Sequence, residues 1–123
     1  FLVIGIVEEL GKYLVTVCTT WNSREFQHSY DGVIYMVCAS LGFAIMENIL
    51  YVASGGIGTG ILRAFTAIPL HCTVGVIMGA LYAKGREAAY AGDRAGMIGF
   101  MAWAYIVPVF IHGLYDYLVM AAS

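Results

Sequence analysis

Charge is scarce in this chain. Asp, Glu, Lys and Arg make up 11% of its 123 residues, against roughly 25% in an ordinary soluble domain. With 61% hydrophobic residues, a body this small would leave too much apolar surface in water. Lipid removes that difficulty. A basic stripe interleaved with aromatics is also missing and the net charge is -2, so nucleic acid is excluded as a partner. There is no CxxC, and the odd set Cys18, Cys38 and Cys72 lies in apolar stretches. That pattern speaks against a disulfide framework or a zinc knuckle, and the three are read as small buried or lipid-facing residues. HExxH is absent, which removes the familiar helix-borne zinc site. No charged n-region precedes the first apolar run, so no signal peptide is read. The sequence opens at Phe1 inside that run, and is expected to be an excerpt of a longer protein with further helices upstream.

What is present is four apolar segments, at about 1–21, 32–54, 61–83 and 97–122, each near the roughly 20 residues a helix needs to cross a bilayer. Only helices and closed barrels satisfy their backbone in lipid, and period-two alternation is missing, so the segments are read as helices. The expected fold class is all-α, a polytopic transmembrane helix bundle with four spans visible, forming one core over residues 1–123 within a larger bundle. Gly55–Gly60 reads as a tight turn with Thr59 or Gly60 as the cap. Lys84 followed by Gly85 reads as a helix end. Gly75 and Gly79 form a small-xxx-small pair that permits close helix approach. Arg24, Lys84, Arg86 and Arg94 gather at the first and third connectors, which places those connectors in the cytoplasm and Gly55–Gly60 outside.

Against this apolar background the ionisable residues inside the spans stand out, because a charge at bilayer depth costs several kcal/mol and normally serves a purpose. They are Glu8, Glu9, Lys12, Glu47, Arg63, His71, His112 and Asp116, with Asn48 adding an amide. Glu8 and Lys12 are i,i+4 neighbours. Phe43, Glu47 and Tyr51 form one stripe; Arg63, Ala67, His71 and Gly75 another; Pro108, His112 and Asp116 a third, with Pro108 placed to kink its helix. Counted inward at about 1.5 Å per residue, the carboxylates and imidazoles fall in one layer on the order of 10–15 Å deep. Carboxylates close together in low dielectric divide between a base and a proton holder, while imidazoles bind zinc or stabilise an oxyanion. Together they suit activation of water against an amide. The same residues would also suit a proton relay in a small transporter.

Glu8-Glu9-Leu10-Gly11-Lys12 reads as EExxK, and Phe43-Ala44-Ile45-Met46-Glu47-Asn48 as FxxxEN. Arg63 is followed by Pro69-Leu70-His71, and His112-Gly113-Leu114-Tyr115-Asp116 reads as HxxxD. In this order, on successive helices, the series resembles the PrsW family of intramembrane proteases, related to the type II CAAX prenyl endopeptidases and the bacteriocin-immunity membrane proteases. The resemblance implies an endopeptidase of the bacterial or archaeal cytoplasmic membrane, acting on a membrane-anchored protein such as an anti-sigma factor. It implies Glu8, Glu9, Glu47, His71 and His112 as catalytic, with Lys12, Asn48, Arg63 and Asp116 in support. Where the CAAX relatives carry a His in the second motif this chain has Glu47-Asn48, which weighs against prenyl-protein processing. One divalent metal, zinc by donor type, is expected on His71, His112 and Glu47, with a glutamate as base. Without a metal, Glu8 or Glu9 would activate water, and His112 or Asn48 would hold the oxyanion. Within the pair, Lys12 is expected to hold Glu8 ionised and leave Glu9, about 100° round the helix, as the base.

Overall fold

The computed structural model describes residues 2–122. Its four helices are α1 (Leu2–Thr20), α2 (Ser29–Gly55), α3 (Ile57–Tyr90) and α4 (Arg94–Ala122), and no strand occurs among the described residues. They run up and down in chain order. α2 packs most extensively on α3 and α3 on α4, while α1 closes the ring against α4 and α2. Three of them, α2, α3 and the Arg94–Val119 part of α4, are long and apolar enough to cross a membrane. α1 has 19 residues, but Glu8, Glu9 and Lys12 interrupt its apolar character.

Two boundaries differ from the sequence reading. α3 begins at Ile57 after the single residue Gly56, so neither Thr59 nor Gly60 is the cap. Gly56 takes φ +86°, a left-handed backbone that glycine adopts without a Cβ penalty, and one residue suffices to reverse the chain. Lys84-Gly85 does not end α3 either, because the helix continues to Tyr90. The reason is Arg86. Its guanidinium is buried among the carbonyls of the first connector, donating to Trp21 O at 3.0 Å, to Ser23 O at 3.3 Å and to Phe26 O, and it stacks on the Phe26 ring at 3.9 Å. A cation bound to carbonyls beyond position 85 holds the extra turn in place. The reversal comes at Gly92, φ +77°.

The α2–α3 crossing is close because its residues are small. A Cβ on Gly75 would lie 3.1 Å from the Val37 backbone, and one on Gly79 would collide with the Val33 backbone, as the small-xxx-small spacing implies. Pro69 and Pro108 both lie inside continuous helices. The apolar core, Phe26, Met36, Met78, Tyr82 and Ala83 with Tyr13, Val17, Trp21, Tyr35 and Met101 around it, fills the connector end of the ring. Among the described residues the opposite half has no such cluster, and the ionisable residues occupy it. Outward-facing side chains are apolar, among them Phe65, Phe110 and Ile57 at 79%, 70% and 73% exposure. Cys18 and Cys38 are exposed on this surface and Cys72 is partly so.

Candidate active site

Because a helix repeats every 3.6 residues, Glu8 and Glu9 leave α1 about 100° apart, and this divergence divides the site into two layers. Glu9 and Lys12 turn into the middle of the ring and are fully buried, at 0% exposure. Glu8 turns toward α2 and α4 and keeps 15%. Lys12 Nζ donates to Glu9 Oε1 at 2.8 Å. The expected Glu8–Lys12 pair is therefore corrected: the cation belongs to Glu9, one turn away at i,i+3, which faces the interior where a charge most needs a partner.

From this buried pair the contacts reach every other helix. Lys12 Nζ lies 2.7 Å from His71 Nδ1 on α3, and His71 Nε2 lies 3.0 Å from Glu47 Oε2 on α2. On the other side, His112 Nδ1 of α4 lies 2.6 Å from Glu9 Oε1. His112 Nε2 then faces Glu8 Oε2 and Asp116 Oδ2, each at 3.5 Å. The two imidazoles meet edge to face, 5.2 Å between centroids. Arg63 on α3 donates to Glu47 Oε2 at 3.3 Å and lies 3.8 Å over the Tyr51 ring.

These groups surround a cleft of about 50 Å³ lined by Glu8, Glu47, His71 and His112, with Asp116 at its side and Tyr51, Arg63 and Tyr115 around it. The space suits a few water molecules and is too small for a peptide. Glu9 and Lys12 do not line it; they stand behind it and hold the histidines. Asn48 does not line it either, and its amide lies beside Gly60. The oxyanion role considered for Asn48 thus finds no geometric support. Tyr51 and Tyr115 are cleft residues to which sequence reasoning gave no role. Tyr51 shares the Glu47 stripe and Tyr115 is one turn from His112, so periodicity placed them nearby, but a tyrosine in an apolar helix carries no chemical signal of its own.

Three donors, from Glu8, His71 and His112, lie within 4.8 Å of one another, the one such group among the described residues. This group has Glu8 where the expected set had Glu47. The donors differ in readiness. Glu8 Oε2 is buried with no hydrogen-bond partner, and His112, with Nδ1 on Glu9, has Nε2 turned to the cleft, the carboxylate–histidine arrangement typical of metal ligands. His71 is engaged at both nitrogens. A buried ammonium occupies the position where a metal-bound imidazole would need its own N–H. As it stands, the arrangement does not fit a three-ligand metal centre.

The comparisons with known proteins agree on one family. The description "PrsW family intramembrane metalloprotease" matches residues 1–123, and the chain belongs to that family. It is 36% identical over 122 residues to Protease PrsW of Geobacillus kaustophilus (98% of this chain, 52% of the relative). It is 34% identical over 123 residues to Protease PrsW of Bacillus subtilis (100% and 55%), and 32% identical over 124 residues to that of Clostridioides difficile (98% and 51%). The chain thus spans about half the length of these bacterial relatives. No solved structure matches it.

Proposed function

We propose that the chain carries the hydrolytic centre of a bacterial intramembrane endopeptidase that cuts a peptide bond in a membrane-anchored protein. An anti-sigma factor is the substrate type considered. The observation that carries this reading is the convergence of Glu8, His112, His71 and Glu47 on one water-sized cleft, with Glu8 Oε2 3.5 Å from His112 Nε2 and no closer hydrogen-bond partner. In the proposed step, water sits between Glu8 Oε2 and His112 Nε2. Its oxygen attacks the peptide carbonyl carbon while Glu8 takes its proton. The oxyanion that forms draws on Arg63, whose guanidinium lines the cleft with Nε unpartnered. The C–N bond then breaks as Glu8 returns the proton to the leaving amine nitrogen. Glu47 holds His71 and Arg63 in place, and Glu9 and Lys12 act as positioning residues behind them. Since the cleft is too small for a peptide, the helices around it must part to admit the scissile bond.

The metallopeptidase reading uses the same residues, with zinc taken by Glu8 and His112, and it requires that His71 be released from Lys12. A proton-coupled transporter is the competing class. Hydrolysis is tested with the full-length protein in proteoliposomes holding a panel of membrane-anchored peptides, in water enriched in oxygen-18. The expected result is cleavage with one heavy oxygen in the new carboxyl group. Proton flux without cleavage of any peptide would point to the transporter instead.

A further inference from the structure

Lys12 and Glu9 together touch both cleft histidines, His71 through the ammonium and His112 through the carboxylate. The Lys12 ammonium is locked to Glu9 Oε1 at 2.8 Å with both side chains at 0% exposure. Removing its proton would leave the Glu9 carboxylate without its cation in a medium that solvates charge poorly. Lys12 is thus a donor to everything it touches, since an ammonium has no acceptor lone pair. At 2.7 Å from His71 Nδ1, it requires that nitrogen to be the acceptor. The proton of a neutral His71 ring then lies on Nε2, and Nε2 meets Glu47 Oε2 at 3.0 Å, where a donor is needed. Both ends of the ring agree.

His112 has the opposite arrangement. Its Nδ1 lies 2.6 Å from Glu9 Oε1, the oxygen that Lys12 also binds, and a carboxylate there requires Nδ1 to be the donor. In a neutral ring the lone pair is then on Nε2, which faces the cleft with Glu8 Oε2 and Asp116 Oδ2 each at 3.5 Å. We infer that Lys12 is a positioning residue which, together with Glu9, sets the two cleft histidines in opposite tautomers, so that His112 alone offers an imidazole lone pair to the cleft and His71 offers an N–H. His71 is then a hydrogen-bond donor, closed to a metal while Lys12 remains in place. The inference rests on these contacts and not on the hydrolytic reading, and its test does not need turnover.

The test is two-bond proton–nitrogen NMR of the full-length protein, labelled with nitrogen-15 at histidine, in lipid nanodiscs. Spectra of His71→Asn and His112→Asn assign the two rings. The expected result is the Nε2–H tautomer at His71 and the Nδ1–H tautomer at His112. In Lys12→Met, which removes the ammonium and keeps the side-chain length, the His71 Nδ1 signal should move as it loses its donor, while Glu47 still holds the proton on Nε2. Added zinc should shift the His112 Nε2 signal in the wild-type protein and leave His71 Nδ1 where it was. The same tautomer at both rings would overturn the inference, as would a doubly protonated His112 or a His71 Nδ1 signal unmoved in Lys12→Met. A zinc-induced shift at His71 equal to that at His112 would also overturn it. Should Lys12→Met fail to fold, the wild-type tautomers and the zinc response still decide the matter.

Discussion

A double-mutant cycle on Glu9 and Lys12 separates what this buried pair does for stability from what it does for the site. Lys12→Met removes the cation and leaves the Glu9 carboxylate at 0% exposure with His112 as its remaining partner. Glu9→Leu leaves the ammonium with His71 alone. Breaking a buried ion pair from one side costs about 3–5 kcal/mol, because an uncompensated charge remains. Removing both side chains leaves no buried charge at this place, only one orphaned ring nitrogen on each histidine, at about 1–3 kcal/mol each. The double variant is therefore expected to fall short of the summed single losses by about 4 kcal/mol, somewhat beyond the usual range of couplings because both charges are fully desolvated. Reversible unfolding of the full-length protein in mixed micelles reads all four corners. Additive losses would show that Glu9 and Lys12 do not share one desolvated environment, and the two-layer description of the site would fail with them.

Helix packing and topology give two further expectations. Gly79→Leu should cost at least about 1–3 kcal/mol through overpacking, since its Cβ would collide with the Val33 backbone. Gly42→Leu, with nothing within 4 Å of its Cβ, should leave the unfolding midpoint unchanged or raised; equal losses at both would refute the close α2–α3 crossing. In a background lacking the native cysteines, Asn22→Cys should react with an impermeant thiol reagent only from the cytoplasmic side and Gly58→Cys only from the other. The reverse pattern would overturn the orientation inferred from Arg24, Lys84, Arg86 and Arg94.

Much of the bundle was legible because lipid imposes simple rules: long apolar runs, helical period, small residues where helices touch. The helix ends were less so. Arg86 extends α3 past Lys84-Gly85 by binding carbonyls some 60 residues earlier, and no local pattern encodes a partner that distant. At the site, residue types and helical faces brought Glu8, Glu47, His71, His112 and Asp116 toward one region. Which carboxylate meets Lys12 was not readable, since i,i+3 and i,i+4 are both within reach on a free helix. The choice is made by the ring, which turns Glu9 inward and Glu8 to the cleft. Asn48 lies away from the cleft for the same reason, one residue of rotation from Glu47 being enough to direct it at Gly60.

The central claim is that Glu8 activates the water while Glu9 positions the histidines. The most direct test measures peptide cleavage and unfolding together for Glu8→Gln and Glu9→Gln in the full-length protein. Glu8→Gln should lower turnover by at least about 10²–10⁴-fold, the usual worth of a general base, with little change in its unfolding midpoint because the isosteric amide gives up only the 3.5 Å contact with His112 Nε2. Glu9→Gln should lower turnover and stability together. Near-normal cleavage by Glu8→Gln, with Glu9→Gln inactive and fully stable, would contradict the account.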